Sequence, residues 1–253
     1  MISNIRKVLD AFIKRRIRTR IDLIPFEFRK LPLKKAANWF LTESSLLIKP
    51  SRPFGYPTIL QIEPSSHCNL HCYACPVSTG LGRLQGHMDL SLFKKLIDQL
   101  GDYLLLILFW DWGEPFLNPH AYEMIRYARK SGIKVMSSTN GHVFATGDHA
   151  KKVVDSGLDV LVFSVDGITQ KTYEKYRASG DLDSVLQGIK NVVAQKKQKN
   201  ADTPIVNLRY IVMKHGEKEF PHLKAFARSL GVDVLTFRKF FAVTDAMHKE
   251  KAM

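Results

Sequence analysis

The stretch PTILQIEPSSHCNLHCYACP, residues 57–76, contains every cysteine of the 253-residue chain. An apolar run, predicted as a strand over Thr58–Glu63, leads directly into a loop in which Cys68, Cys72 and Cys75 have the spacing C-x3-C-x2-C. An odd number of clustered cysteines argues for a metal site rather than for paired disulfides. Three thiolates on one tight loop can bind three irons of a cubane iron–sulfur cluster and leave the fourth iron open. An open metal position can bind a small molecule, as it does in catalytic zinc sites.

A zinc site is the alternative interpretation of the same loop, with His67 or His71 as the fourth ligand. The chain would then be a non-catalytic binding module whose basic residues contact RNA. Zinc-binding folds usually present two separated ligand pairs rather than one compact triplet, so the spacing favours the cluster.

Beyond residue 56, short runs rich in β-branched and aromatic residues alternate with helical segments. The predicted strands are Thr58–Glu63, Tyr103–Asp111, Lys134–Ser138, Val160–Val165, Ile205–Met213 and Val232–Phe237. The predicted helices are Ser91–Gly101, a helix capped by Asn118 and ending by Gly132, Asp148–Ser156, Thr169–Arg177, Leu182–Lys199 and Glu219–Leu230. This alternation predicts an α/β fold with a parallel sheet, and the length favours a partial, open (βα)6 barrel of the TIM type.

The first 53 residues hold thirteen Lys and Arg against four Asp and Glu, and so most of the net charge of +14. A basic amphipathic helix is predicted over residues 2–24, because apolar side chains recur there near helical spacing among Arg and Lys. Its apolar stripe consists of Ile5, Leu9, Phe12, Ile13, Ile17 and Ile21. We expect this helix to pack on the domain or to contact a membrane surface, and its aliphatic and aromatic residues argue against nucleic acid. The expected division is a helical extension, 1–53, a core domain, 54–240, and a short tail, 241–253.

The composition, 45% hydrophobic and 25% charged, is typical of a folded domain. No apolar run approaches the ~20 residues of a membrane-spanning helix. The N-terminus lacks the apolar core and cleavage site of a secretory signal. We therefore expect a cytoplasmic protein, with peripheral membrane association through residues 1–24 as the open alternative.

Residues of unusual type follow the predicted strands, and ligand sites of such folds lie at the carboxyl ends of the strands. Glu114, beside Gly113, can accept an ammonium group or cap a turn. Asn140 ends the third strand in an Asn-Gly turn. Ser164 and Asp166 alternate to one face at the end of the fourth strand, where Asp166 can also cap a helix.

The cysteine loop resembles the signature of the radical S-adenosylmethionine (SAM) superfamily, including the aromatic Tyr73 before the last cysteine. The resemblance extends from about Tyr56 to about Arg238 and looks closest to the branch that usually carries a C-terminal SPASM domain. Further similar segments, in the same order and spacing, are WGEPFLNP (112–119), STNG (138–141), SVDGITQKTYEKYR (164–177) and YIVMKHGEKE (210–219).

The resemblance implies that Tyr73 packs beside the adenine of SAM and that Glu114, with Gly113, grips its amino group. Trp112 stands where relatives often have glycine. Asn140 lies on the cofactor side. In the same way Ser164 and Asp166 would contact the ribose or the methionine end of SAM. Arg177 would bind the methionine carboxylate or form a surface ion pair.

The resemblance also implies an enzyme, an oxidoreductase or transferase, that holds one 4Fe–4S cluster and cleaves SAM reductively. The resulting 5′-deoxyadenosyl radical removes hydrogen from a substrate, for which a peptide or protein is favoured. A low-potential flavodoxin or ferredoxin would supply the electron. We expect no SPASM domain within these residues, since such a domain is rich in cysteine and no cysteine follows Cys75. A catalytically inactive scaffold or a fragment of a longer enzyme is the remaining alternative.

Overall fold

The computed structural model describes residues 16–21, 24–80 and 82–240. Its main feature is a six-stranded parallel sheet in which the strand order follows the chain order. The strands are β3 Ile59–Ile62, β4 Leu106–Phe109, β5 Lys134–Thr139, β6 Val160–Ser164, β7 Ile205–Val212 and β8 Val234–Lys239. Each of the six predicted strands overlaps one of these. The predicted α/β class and the open partial barrel are confirmed.

Helices cover the outer face of the sheet. Along the chain the helices are α1 Leu33–Ile48, α2 Pro76–Thr79, α3 Leu90–Leu100, α4 Ala121–Lys130, α5 His149–Asp155, α6 Gln170–Tyr173, α7 Leu182–Gln198 and α8 Phe220–Ser229. Phe93 of α3, Met124 of α4 and Ile189 of α7 belong to one buried core with Ile107 and Leu161 of the sheet. Neighbouring residues of a strand point to opposite faces, so the residues next to Ile107 and Leu161 in their strands point to the inner face of the sheet.

Two predicted helices differ from the observed ones. The helix expected to be capped by Asn118 begins at Ala121, because Asn118 Oδ1 accepts from the amide of His120, at 2.8 Å, and so closes the turn before the helix. The side-chain amide of Asn118 donates to the carbonyl oxygens of Pro64, at 2.8 Å, and Met88, at 3.0 Å. The helix expected over Thr169–Arg177 ends at Tyr173. The chain then turns, and this turn carries Arg177 toward the cysteine loop.

The predicted helix over residues 2–24 is wrong in its described part. Ile17–Ile21 is a strand, β1, that pairs antiparallel with β2, Ile24–Phe28. In β2 the side chains of Ile24, Phe26 and Phe28 are buried while the intervening residues face outward, which is the period of a strand. Residues 1–15, which hold the rest of the predicted helix, and the tail 241–253 lie outside the described residues.

The hairpin of β1 and β2 covers the inner face of the sheet. Ile17, Ile24, Phe26 and Phe28 form a second buried core with residues near the starts of the strands; those partners are Leu105, Leu106, Met136, Val160 and Val162. The apolar side chains of this part of the extension therefore pack on the domain, which is one of the two arrangements expected from the sequence.

Helix α1 is attached to the domain by polar contacts. The Lys35 ammonium donates to the carbonyl oxygens of Ser131, at 3.0 Å, and Gly132, at 3.2 Å, at the end of α4. These carbonyls have no partner within the helix, and a cation there complements the helix dipole. Asn38 exchanges two hydrogen bonds with the main chain of Tyr56. No helix in the described part of the chain is long and apolar enough to span a membrane.

Candidate functional site

A cavity of about 280 Å³ lies at the carboxyl ends of the strands. Cys68, Cys72 and Cys75 line it, together with residues that end β4 to β6 or lie in β7 and β8. The predicted site residues that line it are Cys68, Cys72, Cys75, Gly113, Glu114, Asn140, Ser164 and Arg177. The fold thus brings together eight of the ten site residues that were predicted from distant segments of the sequence.

Main-chain hydrogen bonds fix the cysteine loop against the turn after α6. The amide of Tyr73 donates to the carbonyl oxygen of Tyr176 at 3.0 Å, and that of His71 donates to Ala178 at 3.2 Å. Within the loop, the amide of Cys75 donates to Cys72 at 3.1 Å. These main-chain hydrogen bonds fix the loop so that the three cysteine sulfur atoms face the cavity.

The three cysteines are free thiols in a partly buried setting. Burial raises the pKa of Cys68 to about 11 and raises that of Cys75 as well, because a bare thiolate is poorly solvated there. Two donors of hydrogen bonds stand beside the sulfur atoms: Arg177 Nη1 lies 3.5 Å from the sulfur of Cys72, and Asn140 Nδ2 lies 3.8 Å from that of Cys68. The setting therefore suits thiolates that are bound to a positively charged group.

An iron–sulfur cluster fits this donor set. Three thiols face one cavity, and donors of hydrogen bonds to sulfur stand beside two of them. The histidines of the zinc interpretation are placed elsewhere: the His67 ring packs on His87 with centroids 4.8 Å apart, and His71 is exposed. No group of three His, Cys, Asp or Glu side chains within the described ranges is arranged to hold a single metal ion.

Glu114 is almost fully buried, and its carboxylate accepts three hydrogen bonds. Oε1 accepts from the hydroxyl of Thr139 at 2.9 Å and from the amide of Phe116 at 3.3 Å, and Oε2 accepts from the amide of Asn140 at 2.7 Å. Glu114 therefore caps the short turn that follows it, as one interpretation expected, and it also lines the cavity. Its contact with an ammonium group stays a prediction. Burial raises the pKa of Glu114 to about 7.

Gly113 lies where the loop after β4 crosses the cysteine loop. A Cβ atom at this position would overlap the carbonyl oxygen of Ser65 and the Cα of Ser66, so only glycine fits. The adjacent amide of Glu114 donates to the carbonyl oxygen of His67 at 2.8 Å. The close approach predicted for Gly113 is observed, but its partner is the chain's own backbone.

Asp166 and Arg177 form a buried ion pair beside the cysteines. Asp166 Oδ2 accepts from Arg177 Nε and Nη2, both at 2.6 Å, and Oδ1 accepts from the amide of Ile211 at 2.7 Å. The surface ion pair considered for Arg177 is wrong, and so is the helix cap at Asp166, because Thr169 caps α6. Asp166 has no exposed surface and is outside the cavity lining; it holds Arg177 in place.

Of the two remaining predicted residues, Ser164 lines the cavity and Tyr73 does not. The Tyr73 side chain is 45% exposed and does not line the cavity. Ser164 does line it, with its hydroxyl 3.4 Å from that of Ser138. The predicted contact of Tyr73 with adenine therefore lacks support in the cavity lining.

Sequence reasoning missed some lining residues, among them Tyr176 and Ile211. Tyr176 places its ring 5.1 Å from the guanidinium carbon of Arg177. No sequence spacing indicates that Tyr176 lines the cavity; the one available signal is that it directly precedes Arg177. Arg209 also lines the cavity, and burial lowers its pKa to about 10.

The match to a family model agrees with this site. The model described as Radical SAM superfamily matches residues 62–227, about two thirds of the chain and the whole region that forms the cavity up to β7. The chain belongs to the radical SAM superfamily, a family of enzymes whose cofactors are an iron–sulfur cluster and SAM.

Curated relatives of this chain are more than a quarter identical to it. A tungsten-containing aldehyde ferredoxin oxidoreductase cofactor-modifying protein of Pyrococcus furiosus is 28% identical over 73% of this chain and 52% of its own length. An AdoMet-dependent heme synthase of Methanosarcina barkeri is 27% identical over 74% of this chain and 51% of its own length. The chain spans about half the length of these relatives.

Solved structures share the fold. SuiB of Streptococcus suis, crystallised with SAM, has a TM-score of 0.63 and 16% identity over 84% of this chain and 46% of SuiB. The same protein has been crystallised with its precursor peptide SuiA, with a TM-score of 0.62 and 15% identity over 87% of this chain and 46% of SuiB.

Proposed function

We propose that this chain is a radical SAM enzyme that holds one 4Fe–4S cluster on Cys68, Cys72 and Cys75 and cleaves SAM reductively. The observation that carries the proposal is that these three thiols share one cavity with Gly113, Glu114 and Arg177. Three protein thiolates leave one iron of a cubane cluster open. The reduced cluster, when bound, supplies the electron that splits SAM into methionine and a 5′-deoxyadenosyl radical.

The chain's own residues would bind the amino acid end of SAM. A carboxylate has about four acceptor sites, and protein donors occupy three of those of Glu114. One site remains for the ammonium group of SAM, and a charge-assisted hydrogen bond is strong where water is excluded. Arg177, fixed by Asp166, stands beside Cys72 and offers positive charge to the carboxylate.

Positive charge also suits the cluster side of the cavity. Burial alone would lower the pKa of Arg177, but Asp166, with the neighbouring Cys72, Tyr176 and Tyr173, outweighs burial and holds the pKa well above its usual range. Arg177 therefore stays cationic beside Cys72. Its role would be to stabilise the negative charge of the ligated cysteines.

We further propose that the substrate is a peptide or protein and that a flavodoxin or ferredoxin donates the electron. The support for the substrate class is that SuiB, which shares the fold, binds a precursor peptide. Asn140 and Ser164, which line the cavity, are proposed as additional SAM contacts. The contact of Tyr73 with adenine stays a prediction of the resemblance, because its ring is exposed and outside the cavity lining.

Anaerobic reconstitution with iron and sulfide, followed by a 5′-deoxyadenosine assay under a low-potential reductant, tests the activity. We expect about four irons and four sulfides per chain, and 5′-deoxyadenosine that requires both SAM and reductant. A cluster without any SAM cleavage would identify an inactive scaffold, and zinc in place of iron would support the RNA-binding module.

A further inference from the structure

Helix α1 turns large apolar side chains toward solvent. Leu33, Leu41 and Ile48 lie at positions i, i+8 and i+15, which fall on one side of a helix. Their exposed fractions are 64%, 41% and 66%. Leu46 and Leu47, in the last turn, are 66% and 67% exposed. We call Leu33, Leu41, Leu47 and Ile48, together with Phe54, the outer ridge of α1.

The opposite side of α1 packs on the domain through both polar and apolar contacts. Lys35 and Asn38 are each 4% exposed, and each is hydrogen-bonded to main-chain groups of the domain. Ala36, which is also buried, belongs to the core formed with the hairpin, and Trp39 packs against that core. The leucines on the outer side stay uncovered in the described structure. Large apolar side chains exposed on one side of a helix indicate an interaction site.

Basic residues stand beside the outer ridge. The chain folds back after α1, and the amide of Phe54 donates to the hydroxyl of Ser45 at 2.8 Å. This turn places exposed Lys49 and Arg52 next to the last turn of the helix, and Phe54 adds an aromatic ring that is 49% exposed. Apolar residues that end in a cationic, aromatic-bearing turn are typical of helices that lie in a lipid interface.

We propose that the outer ridge of α1 docks on an anionic lipid bilayer. Charge selects this occupant: the chain has a net charge of +14, and Lys49 and Arg52 are exposed beside the ridge. A second copy docked through the same ridge would bring the Lys49 and Arg52 of both copies together, whereas an anionic surface is complementary to them. The apolar side chains enter the boundary between headgroups and acyl chains, and Lys49 and Arg52 remain with the headgroups.

Co-sedimentation of the full chain with vesicles tests the proposal. We expect binding to phosphatidylserine/phosphatidylcholine vesicles, weaker binding to phosphatidylcholine alone, and release as salt screens the charges. The double variant L47Q/I48Q should lower the partition coefficient at least about tenfold, because two buried aliphatic side chains are lost. The variant K49Q/R52Q should lower it about fivefold or more for each cation.

The matched control is L84Q/L92Q, which removes two leucines that are 95% and 56% exposed elsewhere on the surface. It should bind like the wild type. Circular dichroism melts check that every variant is folded. Residues 1–24, the other predicted membrane contact, are intact in all of them, so equal binding by L47Q/I48Q and wild type would overturn the proposal. So would a wild type that ignores anionic vesicles, or a dimer in light scattering that L47Q/I48Q abolishes.

Discussion

The two ends of the six-stranded sheet differ in structure: one ends at a polar cavity, and the other is covered by an apolar core. At the carboxyl end, the strands stop at a cavity lined by thiols, a carboxylate, an amide and guanidinium groups. Near the amino end, the inner face is closed by the hairpin of β1 and β2, whose Ile24 and Phe26 are at most 3% exposed. The open end carries the chemistry, and the closed end contributes hydrophobic stabilisation. Substitutions at the two ends should therefore have separable consequences.

The largest effect is expected at the cysteines. Cys68→Ala, Cys72→Ala and Cys75→Ala should each abolish assembly of a 4Fe–4S cluster, because no further cysteine exists in the chain to replace the lost ligand. Iron and sulfide analysis after anaerobic reconstitution measures this. The melting temperature of the cluster-free variants should match that of the cluster-free wild type. A variant with full iron and sulfide would show that its residue is not a ligand.

At the closed end, Phe26→Ala should reduce the free energy of unfolding by about 3–5 kcal/mol, because it opens a cavity in the core beneath the sheet. Phe54→Ala, at a ring that is 49% exposed, is the control and should cost far less. Chemical denaturation of the cluster-free proteins measures both. Equal effects would contradict the packing of the hairpin on the inner face of the sheet.

The next prediction concerns Glu114→Gln, in the cavity at the open end of the sheet. The variant should still assemble a cluster, while its affinity for SAM falls by about 1.5–3 kcal/mol, the size of a hydrogen bond to a charged group. Anaerobic calorimetry with SAM measures the change. The control is Glu123→Gln on α4, where the carboxylate pairs with Lys94 on the outer surface. Unchanged affinity in Glu114→Gln would remove this residue from the proposed SAM site.

The smallest effect concerns Lys35, where burial lowers the pKa to about 8. Between pH 8 and the ordinary pKa of lysine, about 10.4, the unfolded chain binds a proton that the native state does not. The wild type should therefore gain stability relative to Lys35→Met as the pH rises through this window. Denaturation of both proteins at pH 8 and pH 10 measures the difference. A difference that stays constant would contradict the lowered pKa.

The sequence was sufficient for the barrel and for the cysteine site, because both depend on local signals. Apolar runs that end in Cys68, Glu114 or Ser164 are visible in the chain order alone. In a parallel sheet, residues at the carboxyl ends of the strands must meet at one edge. That rule is enough to group residues that are a hundred positions apart.

The hairpin escaped prediction because its pattern is ambiguous. Ile13, Ile17 and Ile21 are spaced by four, which fits a helix, while Ile24, Phe26 and Phe28 alternate as in a strand. The second pattern prevails because the inner face of the sheet offers apolar surface that a hairpin covers. Tertiary packing of this kind overrides local propensity and cannot be seen in a short window.

The roles of Asp166 and Tyr73 also depended on tertiary structure. The alternation of the strand predicted Asp166 on the same face as Ser164. In the structure, Oδ2 of Asp166 pairs with Arg177 and Oδ1 accepts from the amide of Ile211. A long-range pair of this kind has no signature in spacing. Tyr73 follows the family pattern, yet its ring is exposed while its backbone anchors the loop.

We propose that three cysteines leave one iron of the cluster open and that SAM binds there. Electron paramagnetic resonance of the reduced, reconstituted protein, recorded with and without SAM, distinguishes an open iron from a fully ligated one. We expect the signal of one reduced 4Fe–4S cluster per chain and a change of its g values on addition of SAM, because SAM would coordinate the open iron. A signal that saturating SAM leaves unchanged, or a protein that assembles no cluster, would show that the proposed site is wrong.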